Sequence, residues 1–204
     1  MITIKRKLSN FILSTTVLVV AAACSQSPFA AKTQEVAEPE IPETDIEVDR
    51  NKILESHNFI RQRLGVPPLR WSTQLEAFAA DWANFLTDEV GCVARRRGSI
   101  GLPLHKNGIG ENLQRHEPLR FDDGRIQLAD IDENQVVLDW ARQAIDYDYV
   151  SNTCAPGKDC GNYTQVVWRD TQLVGCAAAS CPGMEQMWVC NYDPPGNFFN
   201  QKPY

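Results

Sequence analysis

Leu173–Tyr192 reads LVGCAAASCPGMEQMWVCNY. Leu173–Ala179 and Gln186–Tyr192 are short runs of strand-like composition, and Pro182-Gly183 between them marks a turn. The stretch predicts an antiparallel hairpin centred on Gly183. Cys176 and Cys190 are equidistant from that glycine. The hairpin therefore sets them face to face, with Cα atoms about 4.5–5.5 Å apart, within reach of a disulfide. Tyr163–Trp168, just upstream, has similar composition and is expected to be a further strand.

Further upstream the apolar spacing becomes helical. Ile53, His57, Ile60 and Leu64 recur on one face, Gly65 follows as a stop, and Pro67 and Pro68 lie beyond it. A second helix begins after Trp71, where Thr73-Gln74-Leu75-Glu76 fits a capping box. Its apolar stripe is Leu75, Phe78, Trp82, Phe85 and Leu86. A third helix is expected from about Asp132 to Tyr147, with Val136, Trp140 and Ala144 on one face. These stripes read as core.

The remaining cysteines extend the framework. Cys154 and Cys160 flank Ala155-Pro156-Gly157-Lys158-Asp159, a turn-rich loop they are able to close. That leaves Cys92 for Cys181, a bridge closing a long loop and stabilising by about 4–5 kcal/mol in the chain-entropy model. Other pairings stay formally open. The seventh cysteine is Cys24. It ends Ala21-Ala22-Ala23-Cys24, which resembles a bacterial lipobox, after a basic Lys5-Arg6-Lys7 and an apolar stretch too short for a confident membrane span. Residues 1–23 are expected to be an export signal and Cys24 the site of lipidation, with cleavage near Ala23, Ala30 or Ala31 and simple secretion as the alternative. Export implies a compartment where disulfides persist.

Residues 24–48 form the lipidated cysteine and its tether, in which Pro39 and Pro42 alternate with Glu38, Glu40, Glu43, Asp45 and Glu47; such a segment is expected to be an extended spacer. The folded domain is expected over 49–204. The chain has 204 residues, 43% of them hydrophobic, and a net charge of −6. Without Lys5, Arg6 and Lys7, 17 basic residues face 26 acidic ones, near −9. That balance argues against nonspecific nucleic-acid binding.

Four segments resemble the CAP superfamily of cysteine-rich secretory proteins, antigen 5 and pathogenesis-related proteins. His57-Asn58-Phe59-Ile60-Arg61, with Pro67-Pro68-Leu69-Arg70-Trp71 after it, is similar to the family's first-helix motif. Gly110-Glu111-Asn112-Leu113 matches the G-E-N-L motif. Cys160–Trp168 matches the sheet signature at all but one position. Cys190-Asn191-Tyr192-Asp193-Pro194-Pro195-Gly196-Asn197 matches the closing signature. The resemblance implies an α+β fold, a three-layer α-β-α sandwich with a small antiparallel sheet. It also implies the bridges Cys92–Cys181, Cys154–Cys160 and Cys176–Cys190.

The resemblance further implies a cleft lined by two His and two Glu that is able to hold zinc. His105 and Glu111 match the first His and the first Glu. Gln143 stands where the second Glu is expected and Asn162 where the second His is expected. Amides are poor zinc ligands, and a catalytic-type zinc site needs about three His, Cys or carboxylate ligands. The cleft is therefore expected to bind no cofactor and no metal, and to keep a hydrogen-bond network instead.

Two functions follow as expectations. The first is a non-catalytic binding module, anchored to a membrane through lipid on Cys24, facing the periplasm or exterior and taking lipid, sterol-like or cell-wall ligands. The second is a hydrolase or peptidase, metal-independent or metal-assisted, using His105 and Glu111; half of the polar constellation it needs is replaced. His57, on the apolar face of the first helix, reads as structural, and His116, between Arg115 and Glu117, as exposed. Arg95-Arg96-Arg97 is the densest basic run and is expected near the cleft mouth, as a solvated loop or as a contact for anionic headgroups or cell-wall polymer. Asn162-Tyr163-Thr164 is a formal glycosylation sequon of no expected use.

Overall fold

The computed structural model describes residues 46–100 and 108–204, the side chains of residues 99 and 100 excepted. The chain runs through α1 (Arg50–Arg63), β1 (Arg70–Trp71), α2 (Thr73–Asp88), a 3-10 turn (Arg97–Ile100) and β2 (Gly110–His116). A short hairpin follows, β3 (Leu119–Arg120) and β4 (Ile126–Gln127), then α3 (Glu133–Arg142) with a 3-10 turn (Gln143–Asp146). A second short hairpin, β5 (Tyr147–Asp148) and β6 (Thr153–Cys154), leads to α4 (Gly161–Val166), β7 (Leu173–Ser180) and β8 (Gln186–Asp193).

The expected hairpin is β7 and β8, with Cys176 directly opposite Cys190. Their Cα atoms are 4.1 Å apart, just under the expected separation, and the sulfurs are joined. Cys92–Cys181 and Cys154–Cys160 are joined as well. The sheet order is β1-β7-β8-β2. It is antiparallel except where two residues of β1 run parallel to β7.

The two-residue period of the strands builds the layers. Val174, Cys176, Ala178, Trp188, Cys190 and Tyr192 point to one face and join a core with Ile53 of α1, Val136 and Trp140 of α3 and Val166 of α4. Ala177, Ala179, Met187 and Val189 point to the other face and meet Ala79, Ala80, Trp82, Ala83 and Leu86 of α2. Sheet and helix meet there through small residues, so their backbones approach closely. At Gly175 a Cβ would lie 2.2 Å from Glu76 N, so that position admits no side chain. The result is the expected three-layer α-β-α sandwich.

Three local expectations change. The N-cap of α2 is Ser72, whose Oγ accepts from Leu75 N at 3.3 Å. Glu76 is then one residue too far along to close a capping box with Ser72. Its carboxylate instead accepts from Trp71 Nε1 at 2.8 Å and Arg50 Nε at 3.0 Å. The third helix starts close to the expected place, with Asp132 as its N-cap, but it leaves α-helical register at Gln143, short of the expected Tyr147, and Ala144 is exposed.

The segment Tyr163–Trp168 is not a strand; Gly161–Val166 is the helix α4. Its β-branched composition is overridden by partners at both ends. Gln143 Oε1 accepts from the otherwise orphaned Asn162 N (3.0 Å) and Tyr163 N (3.2 Å) of the first turn. Arg61 donates to the carbonyls of Val166 and Trp168, both at 2.9 Å, at the other end.

Candidate functional site

The cleft lies where β2, the end of α3 and the start of α4 meet the loop after α2. Of the four expected residues, Glu111, Gln143 and Asn162 are linked there, and His105 lies outside the described residues. Glu111 is buried on β2, opposite Asn191 of β8. Its Oε1 accepts from Arg97 N at 3.1 Å. Its Oε2 has no hydrogen-bond partner among the described residues. Burial pushes the Glu111 carboxyl above the usual carboxylate range, against the pull of the Arg97 N–H and of the Arg96 and Arg97 guanidiniums.

The arginine run does lie at this cleft; Arg97 turns inward, and Arg96, exposed overall, reaches the cleft with its guanidinium. Arg97 stacks over the Phe78 ring at 3.6 Å and the Trp82 ring at 4.8 Å, and donates from Nη2 to Phe78 O at 2.8 Å. Arg96 donates from Nη1 to Glu111 O and from Nη2 to Asn162 Oδ1, the latter at 3.3 Å. Asn162 in turn donates its backbone N–H to Gln143. Arg96 thus joins the β2 wall to the α4 wall at positions 111 and 162, two of the four at which the family resemblance would place metal ligands. A basic run beside a cleft that has lost two ligands is the signal in the sequence that points to it.

A second chain of bonds runs from the cleft into the core. Asn112 Nδ2 donates to Asn162 O at 3.0 Å and to Tyr192 Oη at 3.1 Å. Tyr192 Oη lies 2.9 Å from His57 Nε2, and His57 Nδ1 lies 2.8 Å from Ile53 O. A carbonyl only accepts, so Nδ1 carries the proton, Nε2 accepts, and the tyrosine hydroxyl donates to it. His57 is therefore structural, as its place on the helix suggests. Asn112 and Tyr192 belong to two of the family motifs, but nothing in their spacing marks them as the link. His116 differs from expectation: it shares the inward face of β2 with Asn112, is half-buried edge-on to Trp188, and is held below the usual histidine range by that burial.

Complete burial pulls the His57 pKa down to about 4, with Arg61 one turn away adding to the fall and the Ile53 carbonyl opposing it. The folded pKa is depressed, so between pH 4 and 6.5 the unfolded chain holds a proton that the folded chain lacks. Stability is full above that window and falls as pH drops through it, by about 3 kcal/mol between pH 7 and pH 4. Urea unfolding at both pH values is expected to show this component in the parent chain and not in His57→Gln. Equal pH slopes in the two chains would refute the assignment.

A zinc ion does not fit the three described positions. Glu111 is the one carboxylate of the three linked positions, both amide oxygens already accept hydrogen bonds, and a guanidinium stands between the walls. Among the described residues, one His/Cys/Asp/Glu group has metal-like spacing, Cys92, Cys181 and Glu185, and its sulfurs are the disulfide. No helix among the described residues is long and apolar enough to cross a membrane.

Fold, cleft and bridges together define a disulfide-stapled α-β-α secretory domain. Residues 54–192 match the sequence profile of the Cysteine-rich secretory protein family (CAP), and the chain belongs to that family. It is 41% identical to pathogenesis-related protein 1A1 of Solanum lycopersicum over 152 residues, 74% of each chain. It shares its fold with Schistosoma mansoni venom allergen-like protein 4, at a TM-score of 0.55 and 24% identity, covering 77% of this chain and 95% of that one. A crystal structure of NaASP2 with Zn2+ is similar at a TM-score of 0.55 and 20% identity, over 81% and 90% of the two chains. The protein is thus an exported member of this family, in keeping with its three disulfides.

Proposed function

We propose that this chain is a non-catalytic binding module, held at the cell envelope of a bacterium by lipid on Cys24, and that its ligand is an amphipathic lipid. The observation that carries the ligand class is a groove of about 860 Å³ between α1 and α3. Leu54, Phe59, Val66, Pro68 and Leu138 give it an apolar lining, and Ser56 and Asn134, bonded to each other, give it a polar margin. Its volume suits a single small ligand, and an apolar wall beside the polar Glu55, Asn58 and Gln62 suits a hydrocarbon body with a polar head. Phe59 is 56% exposed and Leu138 39%, so both leave apolar surface open to a ligand. Lipidation is supported by the lipobox and by cysteine use, since the six cysteines besides Cys24 are all paired.

The full chain, made in an oxidising host, is expected to carry a fatty-acid or sterol adduct in native mass spectra. Phe59→Asp and Leu138→Asp are expected to weaken binding of a fluorescent fatty acid at least tenfold with unchanged melting. Glu111→Ala and His105→Ala are expected to leave it intact. Undiminished binding in both groove variants would sink the lipid reading. A hydrolase using His105 and Glu111 is favoured by one observation, the buried, partly unpartnered Glu111 carboxyl. A peptidase activity lost in Glu111→Ala would put it first.

A further inference from the structure

We infer that Arg96 is a resident cation that takes the place of a metal ion in this cleft. The inference is independent of what the α1–α3 groove binds. A metal in such a cleft would be held from both the β2 wall, at position 111, and the α4 wall, at position 162. Arg96 joins those walls with one guanidinium: Nη1 reaches the Glu111 carbonyl and Nη2 the Asn162 side chain. A planar fork meets two acceptors at once, which a point cation on a flexible stem does not.

The loop that delivers Arg96 is pinned on both sides. Cys92 is tied to Cys181. Trp82 Nε1 donates to Arg95 O at 3.0 Å. Arg97 donates its backbone N–H to Glu111 and stacks its guanidinium on Phe78 and Trp82. With residues 95 and 97 fixed, residue 96 is directed into the cleft. The remaining positions agree with this. Asn162 offers a neutral oxygen to a guanidinium where an imidazole would not, and Gln143 has turned its oxygen to the α4 backbone. A divalent ion placed there would face like charge, and the amide oxygens it needs are already engaged.

The test restores the ligands with and without the cation. Zinc affinity is measured on the full chain, disulfides intact, by competition with a chromogenic chelator. The parent chain is expected to take up no zinc, and Gln143→Glu with Asn162→His to bind it weakly. Adding Arg96→Met is expected to tighten that binding at least tenfold. Equal affinity with and without Arg96 would overturn the inference. So would a stable zinc adduct of the parent chain, or a folded triple variant that takes no zinc. If the triple variant does not fold, Arg96→Met alone decides. Its melting midpoint is expected to drop by several degrees, with no recovery in Arg96→Lys; an unchanged midpoint overturns the inference.

Discussion

Arg61→Met is expected to lower folding stability by about 4 kcal/mol, most of the reserve of a typical domain. Arg61 lies on α1 with its side chain wholly buried. Nε donates to Pro67 O at 2.7 Å, Nη1 to Val166 O and Trp168 O at 2.9 Å, and Nη2 to Thr171 O at 3.0 Å. Among the described residues no carboxylate pairs with it, so carbonyl dipoles hold the cation. Burial pulls its pKa down to about 10, which still leaves it charged at neutral pH. Methionine fills the volume and leaves buried carbonyls without their donor. The relief of no longer burying a charge offsets part of that loss, but not the whole of it. Lysine keeps the charge, yet one ammonium cannot span carbonyls on both sides of the guanidinium, so Arg61→Lys should lie between the two. Urea unfolding measures the total, and amide exchange locates it. Protection in α4 should fall first, because its C-terminal carbonyls lose their cap. Stability within about 1 kcal/mol of the parent chain would mean that the carbonyls find other partners, and the idea would fail.

The same residue explains which parts of the fold are legible in the sequence. The β7–β8 hairpin is legible because its information is local: a turn, two runs and two cysteines at equal distance from Gly183 fix the register. The first helix is legible from its periodicity and its glycine stop; Gly65 has φ +66°. The helix α4 is not, because its termini are satisfied by Gln143 and Arg61, which lie far away in sequence. Composition alone then points to a strand. The second-helix cap shifts by one residue for a simpler reason, since Ser72 and Thr73 are both good caps and the bond from Ser72 N to Val174 O of β7 holds Ser72 extended, as a cap residue must be.

The candidate site is legible in its members but not in its chemistry. Motif positions bring Glu111, Gln143 and Asn162 to one cleft, and the two amides mark it as a poor metal site. That an arginine joins the walls depends on how the loop after α2 is pinned. A run of three arginines carries no mark of which one turns inward. Stacking on Phe78 and Trp82 takes Arg97, and Arg96 is left to reach Asn162. The same loop is where the sandwich depends most on a covalent tie.

Cys92→Ala with Cys181→Ala is therefore expected to be the costliest bridge removal, at about 4–5 kcal/mol. The bridge spans a sequence separation of 89, against 14 for Cys176–Cys190 and 6 for Cys154–Cys160. Chain entropy alone ranks them at about 4.6, 3 and 2.4 kcal/mol. Of two native-state effects, the first adds to that figure and the second offsets part of it. Both sulfurs are buried against α2 and β7, so truncation opens space in that core. Cys92 also holds a left-handed backbone, φ 64°, which costs a residue with a Cβ about 1–2 kcal/mol and which the bridge helps to impose. Once released, the loop is free to leave that conformation, and Arg95, Arg96 and Arg97 lose their common anchor. The double variant should thus show two changes together: a midpoint lowered more than in either other bridge deletion, and raised amide exchange at Glu111 and Asn162. A drop no larger than that of Cys154→Ala with Cys160→Ala would show that the loop is held by its arginines and not by its disulfide. Lowered stability with unchanged exchange in the cleft would place the effect in the unfolded chain alone.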